Sequence, residues 1–223
     1  MIKLADLIYI KKGFLTNNQC DLIINEFNSN KDEAVYEHCP HSIDGKDTLS
    51  KFTRQEPRLG TPVFNLIHKS IEQMVQEYHD YTDTFNAFHV FRRFTMLHPH
   101  MYRIMRYDKG AWTHPHTDHD PGVYGSCTIN LNDDYTGGDF SFWHGQHKVK
   151  LEKGDAMIWP ADYYWVHEVE EITNGTRYSV NCFLCNSPRN LPEDVSYDIA
   201  VPAGLLESMQ NSDVRVMEKA YEI

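Results

Sequence analysis

Residues 113–120 read THPHTDHD, three histidines and two aspartates in eight positions. Imidazole nitrogens and carboxylate oxygens are the hard-to-borderline donors that divalent metals take. Along an extended strand, residues i and i+2 share a face. Three pairs have that spacing: His114 with His116, His116 with Asp118, and Asp118 with Asp120, the last lacking an imidazole. A solvated turn explains any single pair equally well, so local composition leaves the choice open.

A second feature stands far downstream. The stretch MIWPADYYWVHEVEEITNGTRYSV places His167 late in one predicted strand, and Arg177 opens the next, across the turn Thr173-Asn174-Gly175. Two imidazoles and one carboxylate on one side of a six-coordinate iron leave three adjacent positions open, the donor set of a non-haem Fe(II) oxygenase. Two of those positions suit a chelating 2-oxo acid and the third suits dioxygen. An always-charged guanidinium ten residues beyond His167 is what the far carboxylate of 2-oxoglutarate needs.

Such side chains must be carried by a fold, and 223 residues suffice for a sizeable core. Hydrophobic content is 41%, with 13% aromatic, which favours a β-rich core over a helical bundle. A net charge of −11 argues against non-specific nucleic-acid binding, which needs surplus Lys and Arg. MIKLADLIYIKKGF has no signal-peptide character, and no run approaches the roughly 18–20 apolar residues of a membrane span. Five scattered cysteines fit reduced thiols. Cys182-x-x-Cys185 lies in the apolar run VNCFLC, where strand alternation separates the two thiols.

Thr16-Asn17-Asn18-Gln19 has the form of a capping box, and Leu22, Ile23 and Phe27 follow at helical spacing, predicting a helix over 17–28. Thr61-Pro62 opens a second helix, with Val63, Leu66, Ile67, Ile71, Met74, Val75 and Tyr78 as its buried stripe. Between them, 38–60 is polar and without period, which reads as a long loop. From residue 86 short β-branched and aromatic runs recur: AFHVFRRFTML, MYRIMRY, SCTINLN, DFSFW, HKVKLE, AMIWP, YWVHEV and RYSVNCFL. DKG, NDDYTGG, HGQ, EKGD and TNG separate them as turns. Short antiparallel strands preceded by helices indicate a mainly β (α+β) jelly roll with helices on one side. The tail from Pro188 is polar, with a short helix expected near Leu205–Met209.

The segment RYDKGAWTHPHTDHD resembles that of prolyl 4-hydroxylase-type 2-oxoglutarate/Fe(II)-dependent dioxygenases. Tyr107-Asp108-Lys109-Gly110 leads to His116-Thr117-Asp118 in the family's register. CTINLNDDYTGGDFSFW, LEKGDAMIW and HEVEEITNGTRYSV are similar to its later motifs, in the same order, so the likeness covers about residues 86–186. The resemblance implies a double-stranded β-helix (jelly roll) forming a single domain over 1–223. Residues 1–85 would be helical support with a lid loop at 38–60, 86–186 the core and 187–223 a C-terminal tail. It implies His116, Asp118 and His167 as metal ligands, with Arg177 gripping the distal carboxylate of 2-oxoglutarate and Tyr107 hydrogen-bonding the co-substrate. Ser179, two residues past Arg177 on the same strand face, is a candidate second donor to it, with a filler role as the equal alternative. His98, His100, His114, His119, His144 and His147 are then flanking, surface or rim residues.

Departures from the family pattern are Arg177 where many members carry lysine, Phe140 where many carry threonine, and Asn130 where oxygen-sensing members carry tyrosine. The implied reaction hydroxylates an unactivated C–H bond with Fe(II), 2-oxoglutarate and dioxygen, yielding succinate and CO2, with ascorbate as a candidate reductant. A peptidyl proline is the leading substrate, with Arg54 and Arg58 of the loop as candidate contacts; a free amino acid or other small molecule is the competitor. No nucleic-acid or membrane partner is expected, and a cytoplasmic setting suits ferrous iron. A cupin-like metal-binding module is the alternative from another class, weakened because Asp118 follows His116 where a second histidine would be needed.

Overall fold

The computed structural model describes residues 2–37, 40–43, 46–49, 52–85 and 96–186. The chain divides into two compact units, Met1–Leu191 and Pro192–Ile223. The second unit, the tail from 187 and the helix expected near Leu205–Met209 lie outside the described residues, as does most of AFHVFRRFTML.

Two helices form as the local signals dictate. Helix α1 spans Asn17–Ser29 behind the capping box: the Thr16 amide donates to Gln19 Oε1 at 2.9 Å and the Gln19 amide to Thr16 Oγ1 at 3.4 Å. It buries Cys20, Ile23 and Phe27, whereas Leu22 turns out to solvent at 47% exposure. That corrects the expected stripe. Residue 22 lies one position from Ile23, about 100° around the helix. Helix α2 spans Pro62–Asp83, with Thr61 Oγ1 accepting from the Phe64 amide at 3.1 Å. Its expected stripe is buried except Leu66, which packs against the edge of the same core.

The main sheet orders its strands β1 (Tyr9–Lys11), β12 (Ala156–Pro160), β8 (Val123–Asn130), β15 (Arg177–Cys185), β6 (His98–Tyr107), β5 (Phe52–Gln55) and β2 (Val35–Glu37). A smaller sheet faces it, ordered β11 (His147–Val149), β10 (Phe140–Phe142), β13 (His167–Val169) and β7 (Thr113–His116). Two pairs complete the set: β3 (Pro40–Ile43) with β4 (Lys46–Leu49), and β9 (Thr136–Gly137) with β14 (Ile172–Asn174). This is the double-stranded β-helix expected, built of antiparallel pairs.

One apolar cluster joins α1 and α2 to the outer face of the main sheet through Ile104, Ile129, Ile158, Val180 and Leu184. A second, containing Met105, Tyr107, Phe140, Phe142, Trp159 and Val169, fills the space between the sheets. The layers are therefore helix, sheet and sheet.

Residues 38–60 are not the featureless loop expected. They contain β3, β4 and β5, and β5 pairs with both β2 and β6. The β5 sequence FTRQ has no alternating apolar pattern; Phe52 and Gln55 are its buried residues. Backbone pairing to a neighbour fixes this strand, which propensity cannot reveal.

Candidate metal centre

Strands β7 and β13 are antiparallel neighbours in which His116 and His167 are direct Cα partners. Side chains of such pairs stand on the same sheet face and touch; here the rings lie 4.4 Å apart between centroids. β7 is the edge strand of the smaller sheet, which is where Pro115 can sit without breaking a ladder. His167 opens β13 rather than closing a longer strand, because a turn precedes it: the Trp165 amide bonds the Asp162 carbonyl and the Tyr164 amide bonds Asp162 Oδ1. Asp118 lies two residues beyond the end of β7.

The donor atoms of His116, Asp118 and His167 all lie within 4.8 Å of one another. His116 Nε2 is 3.3 Å from Asp118 Oδ1, and His167 Nε2 is 3.4 Å from Asp118 Oδ2. A six-coordinate ion with bonds of about 2.1 Å places adjacent donors about 3 Å apart, close to these spacings. Both imidazoles are turned by their backbone. His116 Nδ1 lies 2.7 Å from the His114 carbonyl, and His167 Nδ1 lies 3.0 Å from the Trp165 carbonyl. A carbonyl only accepts, so each Nδ1 carries the proton and each Nε2 presents a lone pair. Two lone pairs and a carboxylate thus converge with no proton of their own between them. A cation satisfies that arrangement, and the donor set is the one suited to Fe(II).

The electrostatics agree. Burial raises the Asp118 carboxyl, but His167 and His116, with the Ser126 hydroxyl donating at 2.6 Å, hold it well below the usual carboxylate range. Burial lowers His116, yet its contact with Asp118 overcomes this and the net shift is upward. His167, walled by Trp159 at 5.1 Å and Phe142 at 5.6 Å, is shifted downward by burial.

These residues border a cavity between the sheets, also lined by Met105, Tyr107, Thr113, Phe140 and Asn181. Arg177 is 1% exposed, and its guanidinium lies over the Tyr107 ring at 5.3 Å and the Phe140 ring at 5.1 Å, two of the aromatics that line the cavity. Arg177 and Tyr107 are direct partners across β15 and β6. Arg177 Nη2 is buried with no hydrogen-bond partner among the described residues. A buried donor on a charged group is costly to leave unmet, so a carboxylate at this spot fits. The Tyr107 hydroxyl shares a hydrogen bond of 3.2 Å with Thr113 Oγ1, and burial raises its pKa against the pull of Arg177.

The turn behind Arg177 needs two glycines. Gly137 and Gly138 have φ of +80° and +71°, and a Cβ would come within 2.1 Å of the Glu171 carbonyl at the first and 2.4 Å of Ile172 at the second.

Other expected residues fall elsewhere. The Ser179 hydroxyl donates to Asn181 Oδ1 at 2.9 Å, so its proton is spent within the sheet. Arg58 is paired with Glu33 and Arg54 with Glu56, and neither borders the cavity. His114 supplies a backbone carbonyl to His116, while His119 is exposed beside Tyr163. Cys182 packs against the helices and Cys185 against Val123 and Ala161, on opposite sides as alternation required. Sequence reasoning missed Ser126 and Thr113; Asn130 stood out only as a departure from pattern.

A double-stranded β-helix with two imidazoles and a carboxylate converging on an inner cavity is an arrangement suited to non-haem Fe(II). The model of the 2OG-Fe(II) oxygenase superfamily matches residues 102–185. A PKHD-type hydroxylase of Hyphomonas neptunium is 46% identical over 56 residues, 23% of this chain and 24% of that protein. Another, of Cupriavidus metallidurans, is 36% identical over 81 residues, 34% of each. The matched segments span a quarter to a third of these relatives. Among solved structures, a Trichoplax adhaerens prolyl hydroxylase in complex with a hypoxia inducible factor peptide fragment superposes with a TM-score of 0.61 at 12% identity, covering 81% of this chain and 84% of that one. A Pseudomonas putida prolyl-4-hydroxylase gives 0.59 at 14% identity, covering 80% and 92%. Residues 102–185 thus match the 2OG-Fe(II) oxygenase superfamily model, and the fold of the chain is similar to that of prolyl hydroxylases.

Proposed function

We propose that this protein is a 2-oxoglutarate- and Fe(II)-dependent hydroxylase acting on an unactivated C–H bond, with a prolyl residue of a peptide or protein as substrate. The reading rests above all on one observation: three donor atoms converge within 4.8 Å at a cavity, and a buried guanidinium nitrogen without a hydrogen-bond partner among the described residues lies against Tyr107 and Phe140, which line it. In it, His116, Asp118 and His167 hold Fe(II), which when bound with 2-oxoglutarate supplies the oxidative chemistry. The peptide substrate is suggested by the prolyl hydroxylases of similar fold, one of them in complex with a peptide.

The chain's own residues do the rest. Backbone carbonyls of His114 and Trp165 keep both imidazoles in the tautomer that can bind metal. The Ser126 hydroxyl donates to the Asp118 carboxylate and fixes its orientation. Arg177 takes the distal carboxylate of 2-oxoglutarate, and its aromatic sandwich excludes water so that the charge acts at full strength. Phe142, Trp159 and Val169 keep the reacting space dry. A general acid or base is not needed.

Succinate release from 2-oxoglutarate under air, with Fe(II) and a proline-bearing peptide library read by a one-oxygen mass gain, tests the proposal. His116→Ala serves as the control and should release none. Absence of both succinate formation and 2-oxoglutarate binding in the intact chain would overturn it. Succinate formation with no peptide gaining mass would retain the oxygenase and move the substrate to a small molecule.

A further inference from the structure

Asn130 ends β8 where three segments meet, and its side chain is fully buried. Nδ2 donates to the carbonyls of Asn132 at 2.6 Å and Leu151 at 3.1 Å. Those bonds settle which end of the amide is oxygen, because a carbonyl only accepts. Oδ1 is thereby turned toward Arg177, whose Nε donates to it at 3.0 Å, and it also receives the Tyr135 hydroxyl at 3.2 Å. Two aromatic rings flank the guanidinium, and one hydrogen bond pins its Nε.

The consequence is directional. A guanidinium offers carboxylates two forks: a side edge made by Nε with one Nη, and an end made by both Nη nitrogens. Here Asn130 occupies the side edge. The end remains, and it includes the buried Nη2 that no described residue meets. Asn130 is also neutral, so it orients the charge without cancelling it; a carboxylate in its place would do both.

Resting on the co-substrate reading of Arg177, we infer that Asn130 is the positioning residue that presents Arg177 end-on to the distal carboxylate, and so favours 2-oxo acids bearing a second carboxylate over those without one. This role replaces, by an indirect contact, whatever a residue at this position would do by touching the co-substrate itself.

The test measures anaerobic binding of 2-oxoglutarate and of 2-oxobutyrate, which lacks the distal carboxylate, by calorimetry on protein loaded with Mn(II) in place of Fe(II). Asn130→Ala should weaken 2-oxoglutarate about ten- to hundredfold and leave 2-oxobutyrate within about twofold. Asn130→Asp should weaken 2-oxoglutarate further, since its carboxylate competes for the same guanidinium. Asn130→Ser, which keeps a hydroxyl at the buried position, stands in if the alanine variant does not fold, with the same loss of selectivity expected. In an Arg177→Lys background, which has no Nε to pin, the Asn130→Ala loss should vanish. Equal weakening of both acids, or an undiminished loss in the Arg177→Lys background, would show packing alone and overturn the inference. Failure of the wild type to bind 2-oxoglutarate, or unchanged affinity in Arg177→Met, would instead sink the co-substrate reading and this inference with it.

Discussion

On β15, Val180, Cys182 and Leu184 pack into the helix-facing core, while Arg177, Ser179 and Asn181 alternate with them toward the cavity side. β6 repeats the division, with Tyr102 and Ile104 toward the helices and Met105 and Tyr107 between the sheets. The same backbone therefore carries two surfaces with different tasks. The helix side is held by non-directional apolar burial, which tolerates exchange of similar volumes. On the cavity side, hydrogen bonds each have one acceptable partner, so substitution there changes chemistry before it changes stability.

That contrast can be broken by experiment. His116→Ala or His167→Ala should lower Mn(II) affinity by more than about a hundredfold, since loss of mere outer partners already costs about 10–100-fold. The thermal midpoint of the metal-free protein should move little by comparison. Retained affinity in both variants would remove the cavity's claim to be a metal face. Ile104→Ala, on the helix-facing side of β6, should cost about 2–5 kcal/mol in urea unfolding while metal affinity stays within about twofold. A parallel loss of metal binding would mean the two faces are not separable.

Ser126→Ala sharpens the division. It removes only the hydroxyl that holds Asp118, so Mn(II) affinity should drop about tenfold with little change in unfolding free energy. The smallest effect lies at the helix rim, where Glu77 meets Lys11 at 3.0 Å and the Tyr9 hydroxyl at 3.2 Å. Burial raises the Glu77 carboxyl, but Gln73, Lys11 and Tyr9 outweigh it and the net shift is downward. A depressed carboxylate stabilises the fold above its unfolded pKa of about 4.5, and the benefit fades as pH falls through the lower folded value. Glu77→Gln should therefore reduce stability slightly at pH 6 and flatten its decline below pH 5, with metal affinity untouched.

How much of this was legible follows the same contrast. Thr16 with Gln19, and Thr61 with Pro62, announce helix starts because capping is local. MYRIMRY, SCTINLN, AMIWP and RYSVNCFL became β6, β8, β12 and β15, since an apolar strand side leaves a visible pattern. FTRQ did not, because β5 is specified by its neighbours. His116, Asp118, His167 and Arg177 could be singled out by motif order, and the fold brings the first three within reach of one ion. Ser126 and Asn130 could not. A serine or asparagine acquires its role from the register of strands distant in sequence, as Asn130 does through its pairing with Ser179 and its reach to Leu151. Register is a property of the whole sheet.

The pairing of His116 with His167 across β7 and β13 carries one more implication. A slip of a single residue between these short strands would send one imidazole to the far face and leave Asp118 with half its company. Binding energy would then be available solely to chains that have zipped correctly, and it would deepen that state relative to every misaligned one. Metal binding at this site would then proofread assembly.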